Sequence, residues 1–212
     1  MEAISAGKPG LELRYRFEHV DQDNALSNAN ASTLRTRLNY ATGSFQNLSA
    51  FVEFDDIRVI GPTRYNNASG RSSARTDYSV VADPSSTEVN QAYLTFSGID
   101  ATTLRLGRQR IIYDNARFIG NVGWRQNEQT YDAFSLVNTS LADTTFSYAY
   151  IDQVNRIFGK DSPIGETDMR SHLMNLGYDG LAIGKLSAYG YFLETPDTPA
   201  ASNRTLGLRF SG

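Results

Sequence analysis

Apolar and polar residues alternate with a period of two from early in the chain. Leu11, Leu13, Tyr15 and Phe17 interleave with Glu12, Arg14, Arg16 and Glu18, which sets four apolar side chains on one face of an extended segment and four charges on the other. A helix would mix the two sets, so the run predicts a strand. A second run sets Leu34, Thr36, Leu38 and Tyr40 against Arg35, Arg37 and Asn39. A third sets Leu48, Ala50, Val52 and Phe54 against Asn47, Ser49, Phe51, Glu53 and Asp55. Further strand-like segments fall at about 87–96, 102–112, 125–137, 144–152, 170–178, 185–193 and 204–210, so about ten strands are expected.

The connections keep a rhythm of their own. Ala41-Thr42-Gly43-Ser44, Ser97-Gly98-Ile99-Asp100, Asn138–Asp143 and Asp179–Gly184 are short and carry turn-forming residues. The connections between them, about 19–31, 56–86, 113–124, 153–169 and 194–203, are longer and polar. Strict alternation of tight turns and long loops is the habit of an outer-membrane barrel, whose two ends differ in this way. The segments also approach the roughly 9–11 residues that a tilted strand needs to cross a bilayer. The expected fold is therefore all-β, an antiparallel up-and-down transmembrane β-barrel forming a single domain over 1–212, with its longest extracellular loop at about 56–86. A soluble antiparallel sheet, acting as an adhesin or carbohydrate-binding module, is the alternative. Aromatic residues near strand ends (Phe17, Tyr40, Phe45, Phe96, Tyr131, Tyr178 and Phe210) suit interfacial girdles.

Composition narrows the chemistry. No run of 18 apolar residues is present, which excludes a membrane-spanning helix, and the mean hydropathy of −0.40 suits a barrel whose strands are half polar. Met1–Gly10 lacks the apolar core of a secretory signal. There is no cysteine and there are two histidines, so disulfides and Cys- or His-rich metal sites are not expected. A net charge of −3 gives no reason to expect nucleic acid. Asp21, Asp23 and Asn24 resemble the start of a calcium loop but lack its glycine and closing glutamate. Glu53, Asp55 and Asp56 could supply a glycosidase acid pair, although carboxylates beside arginines are more often ion-paired wall residues. No catalytic motif or cofactor-binding motif is present, and neither enzymatic activity nor a cofactor is expected.

Arginine dominates the basic residues, 17 of 20. Arg14, Arg16, Arg35 and Arg37 fall on the polar faces of two adjacent strands, and Arg105, Arg108, Arg110, Arg117 and Arg125 follow near the fifth and sixth. Charge facing lipid costs about 2–4 kcal/mol near the bilayer centre, so most of these belong inside. Glu12, Glu18, Glu53 and Asp55 are placed to hold some of the guanidinium groups. Two roles are open, a structural ion-pair ladder or a ladder that also contacts an anionic solute. Arg108 breaks the parity of Leu104 and Leu106, which suggests a bulge at Gly107. Trp124, between Gly123 and Arg125, either plugs a loop folded into the barrel mouth or stacks on a sugar ring.

The stretch Gly107-Arg108-Gln109, Asp114-Asn115-Ala116-Arg117-Phe118-Ile119-Gly120, Gly123-Trp124-Arg125-Gln126-Asn127 and Gln129-Thr130-Tyr131-Asp132 resembles the signature of the alginate-export family of outer-membrane porins. Leu13–Glu18, Val81–Pro84 and Glu88–Leu94 are similar to other parts of that family. The resemblance implies a Gram-negative outer-membrane channel with an arginine-rich lumen, passing an anionic sugar or another small anionic solute and surrounded by outer-membrane lipid. It implies a barrel of about eighteen strands, within the range such barrels span. Ten strands would form its N-terminal part, with the first and last strands unpaired.

Overall fold

A computed structural model describes residues 2–212. Ten strands follow one another: β1 (Lys8–Val20), β2 (Ala29–Ala41), β3 (Leu48–Arg64), β4 (Ser86–Ile99), β5 (Thr102–Gln109), β6 (Thr130–Asn138), β7 (Thr144–Asn155), β8 (Glu166–Leu181), β9 (Gly184–Leu193) and β10 (Asn203–Ser211). They form one antiparallel sheet in sequence order, each strand paired with the next. A short helix, α1 (Glu2–Ser5), precedes the sheet, and among the described residues no helix is long and apolar enough to cross a membrane. β1 and β10 are the two edges of the sheet and are not paired with each other among the described residues.

The register explains why one face is apolar. Phe96, Leu104, Leu136, Tyr148, Met174, Gly190 and Leu206 are consecutive cross-strand partners and form one row from β4 to β10. Towards the opposite edge of the sheet, Leu11, Leu38, Phe54 and Val89 continue the same outer face across β1 to β4. The side chains of Leu11, Leu13, Tyr15 and Phe17 remain more than half exposed, as do those of Leu206, Leu208 and Phe210. A continuous exposed apolar belt on long strands has no use in water and matches a lipid-facing band.

The inner face divides in two. Over β1 to β4 it is polar, with Glu12, Arg37, Asp55 and Glu88 as consecutive partners. Over β6 to β9 it is apolar, with Ala149, Leu173 and Tyr191 as consecutive partners beside Ala133 and Ile151. Ile111 and Ile119, from the connection between β5 and β6, pack on this apolar half. A wet lumen wall would have no reason to bury them, so the apolar half is the seat of that connection.

Several boundaries differ from the sequence pattern. β3 continues to Arg64, so the long connection spans 65–85 rather than 56–86. Its last turn-like residues, Gly61-Pro62-Thr63-Arg64, are polar yet still partly paired, with Thr63 and Arg64 opposite Ala31 and Asn30. β6 begins at Thr130 rather than 125, because residues 125–129 are held by side-chain contacts on the inner face. The bulge expected at Gly107 is not there: the ladders to Ala92 and Asp132 run through it in register. Gly107 instead takes φ +123°, a backbone open to glycine, and an added Cβ would collide with the carbonyl oxygen of Ala92. Tyr131, expected in an outer girdle, is buried on the inner side, where its hydroxyl donates to the Gly120 carbonyl at 2.8 Å.

Candidate functional site

The connection 110–129 crosses the inner face, and its contacts define the site. At one end Asp114 accepts hydrogen bonds from Asn175 Nδ2 on β8 (3.0 Å) and Ser187 Oγ on β9 (2.8 Å). At the other, Arg14 on β1 donates to the carbonyls of Gly123 (3.2 Å) and Trp124 (2.5 Å), and Arg35 on β2 donates to that of Gln126 (3.0 Å). Gln126 is fully buried and returns Nε2 to the Thr33 carbonyl (3.2 Å) and hydroxyl (2.9 Å). A segment that touches β1, β2, β8 and β9 lies across the interior rather than above it.

The charges beneath it are paired. Arg37 donates Nε and Nη2 to the two oxygens of Asp55, both at 2.7 Å, and Nη2 also reaches Glu128 at 2.8 Å. Glu128 receives Arg110 Nε (2.7 Å), Asn90 Nδ2 (2.7 Å) and Asn121 Nδ2 (2.5 Å) as well. Glu53 is buried and accepts from Asn90 (2.8 Å) and Gln91 (2.9 Å), with Arg37 at 3.6 Å and Arg110 at 3.8 Å. Arg35 pairs with the half-exposed Glu12, and Arg16 with Glu18. Arg125 meets Glu18 at 3.3 Å and Asp83 at 3.6 Å. Asp83, from the 65–85 connection, also accepts the Gln126 N–H at 2.7 Å, so one long connection clamps the other.

Burial alone would raise the Glu128 carboxyl, but the Arg110 hydrogen bonds and the charges of Arg37 and Arg110 outweigh it and hold it at about 2. At Asp83 burial wins over the Gln126 N–H, Arg125 and Arg16, and its carboxyl is raised.

The arginines singled out from sequence thus fall into three groups. Arg16, Arg35, Arg37, Arg110 and Arg125 are tied to Glu12, Glu18, Glu53, Asp55, Asp83 and Glu128. With Arg14 on the loop carbonyls, positive and negative charges in this knot balance. Arg108 lies apart, in a two-bond pair with Asp132 (2.7 and 2.9 Å). Arg105 and Arg117 have no carboxylate partner among the described residues; Arg105 lies over the Tyr93 ring at 5.0 Å and Arg117 beside the Phe118 ring at 5.7 Å. Trp124 is 69% exposed, with the Arg16 guanidinium 4.2 Å from its ring centre. The suggested acid pair is not free: Glu53 and Asp55 are held by arginine, and Asp56 pairs instead with Arg58 at 2.7 Å.

Glu128, Asp83, Gln126 and Asn90 are not among the candidate residues that the sequence suggests. Glu128 carried a usable signal, a carboxylate within the polar run Arg125-Gln126-Asn127-Glu128-Gln129.

A sheet with an apolar outer belt, an inner face charged over one half and an inward-crossing connection is the wall of an outer-membrane channel. The family model described as Alginate export matches residues 7–150, more than half of the chain, and the chain belongs to that family of Gram-negative outer-membrane porins. No curated protein matches it. Among solved structures, Acinetobacter baumannii OccAB3 aligns with a TM-score of 0.67 at 15% identity, over 99% of this chain and 54% of that one. OccAB1 of the same species aligns at 0.67 and 14%, over 92% and 46%. Pseudomonas aeruginosa OpdK, solved with vanillate, aligns at 0.63 and 12%, over 90% and 50%. These likenesses establish the fold, and the chain spans about half the length of the solved structures it matches.

Proposed function

We propose that this chain forms part of the wall of a passive outer-membrane channel for small anionic solutes, among them anionic sugars. The observation that carries this reading is the set of guanidinium groups on the inner side without carboxylate partners, Arg105 and Arg117, beside an otherwise balanced knot. Arginine keeps its charge at any working pH and binds carboxylates in planar, two-bond geometry. A few uncompensated charges in a confined pore set its potential, because the paired ones cancel. The knot serves a different purpose, since it fixes the 110–129 connection and so sets the width of the passage. In this reading Trp124 narrows the mouth, residues 1–212 act as one barrel domain, and the 65–85 connection faces the outside. OpdK, solved with an aromatic carboxylate, is consistent with an anionic cargo.

Proteoliposomes carrying the full-length protein test the reading through their swelling in isosmotic solutes. Glucuronate should enter faster than glucose, and glucose faster than glucosamine. Equal rates, or faster entry of the cation, would overturn the anionic part of the proposal.

A further inference from the structure

The outer apolar belt stops abruptly on the side of the long connections. Its last row over β1 and β2 sets Phe17 opposite Ser32, and the next outward row is His19, Asn30 and Arg64, consecutive partners on β1, β2 and β3. Between these rows the β2–β3 ladder shifts register, and Gly61 packs so closely on Ser32 that an added Cβ would lie 2.9 Å from its Cβ and Oγ. The layer directly beyond an apolar belt is that of the lipid headgroups.

A cavity of about 490 Å³ opens at this level, lined by Asn30, the 61–64 segment, and Arg75 and Tyr78 of the 65–85 connection. None of these residues lies on β1 or β10, the edges of the sheet. The lining holds two guanidinium groups and no carboxylate. Arg64 and Arg75 are in no ion pair among the described residues, whereas the arginines of the inner knot are neutralised. Asp77, although next to Tyr78 in the chain, pairs with neither and is not part of the lining. Asn30 accepts His19 Nδ1–H on its Oδ1 at 3.0 Å, which leaves its amide nitrogen as a donor.

Two guanidinium forks beside an amide and the hydroxyls of Thr63 and Tyr78 match a phosphate monoester, which carries nearly two charges and three acceptor oxygens. The exposed side chains of Tyr15, Phe17 and Ile60 continue from this row into the belt, where acyl chains run. We propose that the cavity holds a phosphate of an outer-leaflet glycolipid of the lipopolysaccharide type, with the phosphate on Arg64 and Arg75. The proposal rests on the long connections facing outwards and is independent of which solute the channel passes.

Native mass spectrometry of the full-length protein in detergent gives the test, with diphosphorylated lipid A, dephosphorylated lipid A, phosphatidylglycerol and inorganic phosphate as probes. The parent should bind diphosphorylated lipid A more tightly than the other three. Arg64→Gln and, separately, Arg75→Gln should each raise its Kd about fivefold. Heat-modifiable gel mobility shows that each variant forms its barrel. Parental affinity in both variants overturns the site, even where lipid A binds elsewhere on the wall. Equal affinity for phosphatidylglycerol or inorganic phosphate overturns the glycolipid assignment. Protease access to the short turns instead of the 65–85 connection on intact cells overturns the topology and the proposal with it.

Discussion

Arg37 grips Asp55 through two hydrogen bonds of 2.7 Å across the β2–β3 ladder, with both side chains buried. Removing one member of a buried pair leaves an uncompensated charge, which costs about 3–5 kcal/mol, whereas replacing both by apolar groups costs much less. Asp55→Leu should therefore lower the temperature at which the full-length barrel loses its fast gel mobility. Arg37→Met combined with Asp55→Leu should recover part of that loss. Additive losses in the double variant would show that the two residues act independently.

Glu128 makes the anchorage of the inner connection pH-dependent. Its carboxyl lies at about 2 against an ordinary value of 4.5, so its contribution is complete above 4.5 and is lost as pH falls towards 2. The raised carboxyl of Asp83 has the opposite sign: burial makes its ionisation harder than in the unfolded chain, so its contribution declines as pH rises from the ordinary carboxylate value through its shifted one. Trp124 is the single tryptophan and sits on the same connection. Its fluorescence should change between pH 4.5 and 2 in the parent protein, and Glu128→Gln should show the low-pH signal throughout. An unchanged transition in Glu128→Gln would place the titrating group elsewhere.

Gly107→Ala should destabilise the barrel by about 1–3 kcal/mol, since the φ of +123° is open to glycine and the new Cβ meets the Ala92 carbonyl. Thermal gel mobility measures it. Parental stability would mean that the strand can relax locally.

Much of the sheet was legible in the sequence because its signal is local. The alternation of Leu11 to Phe17 with Glu12 to Glu18 survives as an exposed outer row and an inner charged row. Strand ends were less legible: β3 runs on through Arg58 and Pro62, and β8 starts at Glu166, because residues beyond the apolar belt lose the alternation while keeping the ladder. The apolar inner half was hidden for a related reason. Ala149, Ile151 and Leu173 point inwards beside the outward Tyr148, Tyr150 and Met174, so apolar residues run on without a clean alternation in the sequence. Pairing in the knot was hidden by distance along the chain, since Arg37 and Glu128 are 91 positions apart. The arginine positions could be read, but not which of them are neutralised.

Orientation can be checked on intact cells. A protease site placed at Ser72–Ala74, in the 65–85 connection, should be cut from outside, and one placed at Leu141–Asp143, in the β6–β7 turn, should be protected. The reverse pattern would invert the proposed topology.

The reversal potential of the full-length protein across a KCl gradient tests the central proposal most directly, in the parent and in the combined variant Arg14→Ala, Arg35→Ala, Arg105→Ala. The parent should prefer anions. In the variant, Glu12 loses its Arg35 partner and the free charge of Arg105 is gone, so the potential should move towards cation preference while the channel still inserts. A parent without anion preference, or a variant with the parent's potential, would contradict the account.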